Sequence, residues 1–332
     1  MLKTAQAHSP RYYLKKLLSE YSYWLSFFLL VAIAWYFNPN FFRWTNISNI
    51  FVQSAPTGII ALGMTMVICA GQIDISVGSQ VGIISGLSIL VLNATSNIWI
   101  TLLFCLLLGL FIGTFTGTLV SKGHMPAMIA TLAVQTACRS IINQIGQGGP
   151  FTVTDKANYE VFRLVAAGNI PLFGLKIPYP MIMLIGISLL FGLIMQRTKL
   201  GKHVYAIGSN ETSARLAGVS VDKVKTLVFT ITGLLCGFSG WLYASRVMAV
   251  ASANAGNLFE MDAIAAVAIG GTSMSGGRGK IIGTFLGVLM FKIINNILTM
   301  ANVPTFLNGA ISGGIIIIAV LQIGRASCRE RV

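Results

Sequence analysis

Charge is scarce in this chain: 10% of the 332 residues are charged, and only nine are acidic. Soluble globular domains carry about a quarter charged residues, so this scarcity excludes an ordinary cytosolic or secreted protein. Histidine is rarer still, and His8, His124 and His203 stand apart with no metal-ligand spacing around them. The five cysteines are an odd number, and Cys69, Cys105, Cys138 and Cys236 lie in apolar runs, where thiols act as small packing groups. No disulfide framework is implied. Catalytic signatures are missing as well. There is no G-x-S-x-G elbow and no H-E-x-x-H pair, so a membrane hydrolase would lack its nucleophile or metal ligands. Around Gly279-Lys280 a phosphate loop fails twice, because Met274 stands where its first glycine belongs and Ile281 replaces the hydroxyl that would hold magnesium. No enzyme and no cofactor is expected on this chain.

What is abundant is apolar. Hydrophobic residues make up 55% of the chain and the mean hydropathy is +0.78. Runs long enough to cross about 30 Å of hydrocarbon recur at residues 21–37, 51–71, 75–93, 98–121, 126–145, 178–196, 224–245, 261–275, 281–300 and 306–323. The expected fold is therefore an all-α membrane protein, a polytopic bundle of about ten transmembrane helices, some of them broken or re-entrant. Residues 1–20 form a polar N-terminal segment, 21–323 a single membrane domain, 197–225 a polar loop within it, and 324–332 a tail set aside from functional argument. The run at 21–37 is followed by Asn38-Pro39-Asn40 rather than a small-residue cleavage site, so it is expected to remain as the first helix.

The net charge of +14 does not indicate nucleic acid, because no soluble basic face is available to bind it. With the N-terminus set on the cytoplasmic side, most of the 23 lysines and arginines fall inside. Among them are Lys15, Lys122, Arg197, Lys202, Arg215, Lys225 and Arg278. This positive-inside pattern predicts both termini in the cytoplasm.

Three glycine series at four-residue spacing, Gly78/Gly82/Gly86, Gly109/Gly113/Gly117 and Gly279/Gly283/Gly287, leave bare ridges where helices approach closely. The last is also a candidate meeting place for two copies of the chain. Polar residues within the spans form two stripes. Thr131, Gln135, Arg139 and Asn143 recur every fourth residue on one helix, and Lys292, Asn295, Asn296 and Thr299 share a face of another. Each stripe suits either interhelical hydrogen bonding or a path for a neutral, hydroxyl-rich solute; Arg139 could also snorkel outward. Asp74, with Ser76 and Gly78, falls at a turn between two spans that reads as broken, and is expected to cap the helix that starts there. Glu260 and Asp262 are expected to cap the run at 261–275 in the same way.

Residues 200–218 form the long basic stretch between two membrane-length runs. A helix of about two turns starts there at Ser209 or Asn210 and stops at Gly218, too short to persist alone in water. An ordinary inter-helix loop and a docking segment both fit that spacing.

Several blocks carry a family resemblance. Gly63-Met64-Thr65-Met66-Val67-Ile68 with Gly71-Gln72-Ile73-Asp74-Ile75-Ser76-Val77-Gly78-Ser79 resembles the signature of the ribose/xylose/arabinose/galactoside group of bacterial ABC-importer permeases. Ile129-Ala130-Thr131-Leu132, the loop from Thr198 through Asn210-Glu211 to Gly218, and the block from Asp262 to Ser273 with Gly276-Gly277 agree with it in order. The resemblance implies a multi-pass subunit of the bacterial inner membrane that moves a monosaccharide or similar polyol. It implies an ATPase subunit holding ATP and magnesium, a periplasmic or surface sugar-binding protein, and a second permease copy or close paralogue. It makes Asn210, Glu211, Thr212, Ala214, Arg215, Leu216 and Gly218 the coupling segment; the polar stripes and the broken turn add Thr131, Gln135, Lys292, Asn295 and Asn296 as candidates along the solute path and Asp74, Ser76 and Gly78 as a candidate inner gate. Thr212 and Ser213 depart from the two small apolar residues usual there, and Lys292 belongs to no family motif. The alternative is a self-sufficient secondary carrier or channel with Asp74 or Lys292 as its ion-coupling site.

Overall fold

The structure is a computed structural model that describes residues 22–172, 174–301, 304, 310 and 313–314. The segment 1–20, most of the expected span 306–323 and the tail 324–332 lie outside the described residues. The described chain is mostly helical. Its helices are α1 (Ser22–Phe37), α2 (Trp44–Cys69), α3 (Val77–Thr95), α4 (Ile98–Ser121), α5 (Ala127–Gly146), α6 (Lys156–Ala167), α7 (Tyr179–Arg197), α8 (Lys199–Ser209), α9 (Glu211–Leu216), α10 (Val221–Val247), α11 (Phe259–Ile269) and α12 (Ile281–Met300). Four short strands, β1 (Pro150–Thr152), β2 (Asn169–Leu172), β3 (Leu175–Pro178) and β4 (Ala249–Ala251), form two antiparallel pairs. β1 joins β4, with Phe151 opposite Val250, and β2 joins β3.

Every expected span within the described residues holds a helix. Six helices, α2, α3, α4, α7, α10 and α12, are long and apolar enough to cross a membrane among the described residues. The differences have local causes. α1 has 16 residues and stops before Asn38-Pro39. α5 has 20, but Gln135, Arg139, Asn143 and Gln144 lower its apolarity. α11 has 11 and stops at Gly270, followed by Gly271 at φ +80°. That span is broken. The two small sheets and α6 were not legible as periodic apolar runs, being short and half-exposed.

α2 forms the centre. Every residue from Ser54 to Cys69 in it is buried, as expected of a helix that is apolar on all sides and enclosed by others. α10 lies against it, with the Ser239 hydroxyl donating to the Pro56 carbonyl at 2.8 Å, and α12 meets it through a Thr65–Thr284 hydroxyl pair at 2.6 Å. Such bonds satisfy groups that lipid cannot. The exposed faces of α4 and α7 carry large apolar side chains, among them Leu103, Leu107, Phe111, Leu189, Leu190 and Leu193.

The glycine ridges lock these helices by direct backbone contact. Gly109, Gly113 and Gly117 of α4 face Gly233, Gly237, Phe229 and Thr226 of α10, and a Cβ at Gly113 would come within 2.5 Å of the Phe229 carbonyl oxygen. Gly283 and Gly287 of α12 lie on Gly270 and Ala266 at the end of α11, while Gly279 just before α12 abuts Cys69 and Thr272. That ridge is occupied within one chain, which corrects its reading as a surface where two copies meet.

A leucine at Gly113 or Gly233 should therefore force α4 and α10 apart and cost at least about 1–3 kcal/mol, the range for overpacking. At Gly192 of α7 a Cβ would meet nothing within 4 Å, and leucine there should change stability by no more than ~0.5 kcal/mol. Thermal unfolding of the detergent-solubilised variants, followed by circular dichroism, measures the contrast.

Candidate functional site

The polar loop folds into two helices. α8 is capped by Thr198, whose hydroxyl accepts from the Gly201 amide at 3.4 Å. Asn210 then breaks the direction and caps α9, its side-chain oxygen accepting from the Ser213 amide at 2.8 Å. α9 ends where expected. The Gly218 amide donates to Arg215 and the Val219 amide to Ala214, each at 3.0 Å, with Gly218 at φ +83°. This reciprocal pair is the Schellman stop, and its left-handed position suits glycine. What holds so short a helix is mostly tertiary. Ala214 is buried, Glu211 pairs with Lys225 at 2.7 Å, and Arg215 lies 3.6 Å from Glu211 and 3.3 Å from Asp222. The Arg215 contacts are solvent-exposed and contribute at most about 1 kcal/mol each. Thr212, Ser213, Arg215, Ala217 and Gly218 are exposed, and Leu216 is 86% exposed, an apolar side chain pointing away from the chain.

α8, which the loop reading left without structure, ties this segment to the interior. Gly208 sits directly on the end of α2: a Cβ there would overlap the Cys69 carbonyl oxygen and lie 2.6 Å from the Gly277 amide nitrogen. That amide donates to the same Cys69 carbonyl at 3.0 Å. One turn earlier the Tyr205 hydroxyl donates to the Gly279 carbonyl at 2.7 Å. Burial, and after it the neighbouring Cys69 thiol, pushes the Tyr205 hydroxyl up to about 12, so it remains a donor at physiological pH. Three segments thus meet at α8: the end of α2, the turn at 70–76 and the loop at 270–280.

The 70–76 turn leads into α3. Asp74 and Ser76 are fully buried. Asp74 Oδ1 accepts from the Ser76 amide at 2.9 Å and from its hydroxyl at 2.5 Å, and the Gln80 amide donates to Ser76 Oγ at 2.8 Å. The residue preceding α3 is Ser76, which makes no side-chain cap bond; Asp74 orders that residue from two positions upstream rather than capping the helix itself. Gly78 follows, where a Cβ would overlap the Glu260 carboxylate and lie 2.6 Å from the Gly256 carbonyl oxygen.

Glu260 and Asp262 do not cap α11 either. That helix is preceded by Leu258 in a left-handed conformation and makes no side-chain cap bond. Glu260 is buried and Gln135 Nε2 donates to its Oε1 at 3.4 Å. Asp262 pairs with Lys292 of α12 at 3.2 Å. Arg139 does not snorkel: Nη1 donates to the Ala255 carbonyl. The two sequence stripes have separate surroundings. Thr131, Gln135 and Arg139 gather on α5 around the start of α3 and the segment before α11, with Thr131 fully buried and donating to the Met128 carbonyl at 3.3 Å. On the other stripe, Asn296 exchanges amide hydrogen bonds with Asn46 at 3.0 and 3.4 Å, and Asn295 is half-buried. Asp74 Oδ2, Gln80 Oε1 and Glu260 Oε2 are buried without a hydrogen-bond partner among the described residues. Sequence reasoning missed the Gln135–Glu260 and Arg139–Ala255 contacts, because nothing in spacing brings α5 to residues more than a hundred positions away.

No metal-ligating cluster occurs among the described residues. The arrangement offers no nucleophile with a base, but it does offer an exposed two-turn helix fixed by backbone contact to a buried polar interior.

Residues 46–320 match the model of a family described as branched-chain amino acid transport system / permease component. The chain is 36% identical to the ribose import permease protein RbsC of Bacillus subtilis (strain 168) over 316 residues, covering 95% of this chain and 96% of that protein. It is 33% identical to RbsC of Escherichia coli (strain K12) over 320 residues, covering 96% and 98%. With the xylose transport system permease protein XylH of Escherichia coli (strain K12) it shares 32% over 349 aligned positions, covering 84% and 87%. No solved structure matches it significantly.

The Lys292–Asp262 pair gives a direct test of the packing around α11. Replacing Lys292 with Met leaves a half-buried carboxylate unpaired and should cost about 1–3 kcal/mol, whereas Lys292→Met combined with Asp262→Leu should recover more than half of that loss. A double-mutant cycle on thermal stability in detergent measures the coupling.

Proposed function

This chain belongs to the branched-chain amino acid transport system / permease component family, and we propose that it is the membrane subunit of an ATP-binding-cassette importer for a monosaccharide or similar polyol. It is a multi-pass protein of the bacterial inner membrane. The named functions of its relatives, ribose import and xylose transport, support the substrate class, and the lack of any energy-converting site on the chain agrees with a motor on another subunit. They give no support to the secondary carrier.

The observation that carries the mechanism is the α8–α9 unit. α9 presents Thr212, Arg215 and Leu216 outward, while Gly208 and Tyr205 of α8 touch the Cys69 carbonyl and the Gly279 carbonyl. In the proposed cycle Asn210, Glu211, Thr212, Ala214, Arg215, Leu216 and Gly218 dock on the ATPase, which holds ATP and magnesium. Cassette closure displaces α9, and α8 passes that motion to the 70–76 turn with Asp74, Ser76 and Gly78, and to the loop before α12. Backbone-to-backbone contact suits this task, because no side-chain rotamer can absorb the movement. A periplasmic or surface binding protein delivers the sugar to the opposite face. Thr131 and Gln135 border the path on α5; Lys292, Asn295 and Asn296 border it from α12, where they also pack α12 against Asp262 and Asn46. Both termini lie in the cytoplasm in this reading.

A cassette motor closes as two lobes, and one chain supplies one such helix, so the importer holds two permease copies or this chain with a paralogue. Native mass measurement of the detergent-solubilised complex should give two permeases per two cassette lobes, and one permease per two lobes defeats the pairing.

Replacing residues 208–218 with a flexible Gly/Ser stretch should leave the chain inserted but uncoupled, since a disordered segment transmits no load. Co-purification with the ATPase and solute-stimulated ATP hydrolysis should both fall to near background. Uptake by wild-type chain in liposomes without any ATPase, or coupled uptake by the flexible variant, would overturn the reading.

A further inference from the structure

Residues 248–258 connect α10 to α11 without forming a helix, and they do so deep in the bundle. Ala255 and Gly256 lie against Gly82 and Gly78 of α3, where Cβ atoms would come within 2.6 Å of the Ala255 and Gly256 carbonyl oxygens. At a rise of about 1.5 Å per residue, Gly82 is about 20 Å along α3 from its Thr95 end, and Gly78 about 25 Å. Against a hydrocarbon core of about 30 Å, this irregular backbone sits at membrane depth.

One side of the segment is fixed. Arg139 donates to the Ala255 carbonyl, Gln135 holds Glu260 just beyond it, and the two glycines of α3 leave the backbone no clearance. Its ends are conformationally strained, with Met248 at φ 57° and Leu258 at φ 63°, left-handed conformations that non-glycine residues seldom adopt. The other side is open. Asn254 and Asn257 are exposed.

Lipid cannot cover such a surface. Non-helical backbone at membrane depth persists only where protein buries it or where it lines a water-filled cavity, and the leucine faces of α4 and α7 show what the lipid-facing sides of this chain look like. We propose that the open side of residues 248–258, with Asn254 and Asn257, forms the wall that the transported solute touches. The proposal rests on the importer reading and adds residues to it. Uncharged amides both donate and accept, matching the hydroxyls of a neutral polyol. Of the charged groups around the segment, Arg139 and Glu260 are opposite in sign, and Arg246 precedes it in the last turn of α10. The unpartnered Glu260 Oε2 behind the segment is an acceptor available when the wall shifts.

The test uses the complete importer, permease with ATPase in proteoliposomes and loaded binding protein, with D-ribose and D-xylose as probe solutes. In a Cys328→Ser background, Asn254→Cys and Asn257→Cys should react with a membrane-impermeant methanethiosulfonate at least tenfold faster than Leu190→Cys in one nucleotide state. Solute-loaded binding protein should slow that reaction at least threefold. In parallel, Asn254→Leu with Asn257→Leu should lower maximal uptake at least tenfold in complexes of unchanged subunit ratio, while Gln at both positions should restore at least half. Cysteines that stay unreactive in every state would assign the surface to packing, and cysteines that react without solute protection would place it in water but off the solute path; either result overturns the proposal. ATP-dependent uptake by the wild type alongside that result removes the wall alone; ATPase-independent uptake removes the importer reading itself.

Discussion

Backbone resting directly on backbone is the contact on which the rest of this protein depends. In a bilayer, apolar side chains gain little by leaving lipid for one another, so helices associate through close packing and through hydrogen bonds that lipid cannot supply. Glycine provides the first. It lets α4 meet α10, α12 meet α11, and α3 accept the irregular segment at 255–256, each at separations that a single Cβ would prevent. The same device recurs at Gly208, where the polar loop touches the end of α2. A contact with no side chain between the backbones is stiff, and the stiffness serves both the stability of the bundle and the transmission of movement through it.

Polar groups follow the complementary rule. Hydroxyls bridge helices in pairs, as at Thr65–Thr284, Ser121–Thr226 and Thr114–Thr230, and the charges within the bundle have partners in Asp262–Lys292 and Arg139–Ala255. Seven buried side-chain polar atoms among the described residues have no hydrogen-bond partner. Asp74, Gln80 and Glu260 each keep one buried oxygen unpaired, and all three lie near the start of α3 or in the first turn of α11. The 70–76 turn and the segment at 248–258 lie beside these three atoms. A pump that moves a hydroxyl-rich solute needs such capacity inside the bundle and cannot tolerate it on its lipid face.

The sequence by itself determined the class of molecule, the position of nearly every long helix and the ends of α9, because each depends on local information. An apolar run long enough to cross hydrocarbon is helical wherever it sits, and an asparagine followed eight residues later by a glycine bounds two turns of helix whatever their neighbours. The order of the motif blocks was likewise enough to identify the family. Only the tertiary structure decided which polar residues share a site. It paired Lys292 with Asp262 and Asn296 with Asn46, turned Arg139 inward onto Ala255, joined Gln135 to Glu260, and showed the Gly283/Gly287 ridge to be filled by α11 of the same chain. Helical periodicity fixes the face on which a side chain lies but carries no information about which helix, a hundred or more residues away, will lie opposite it.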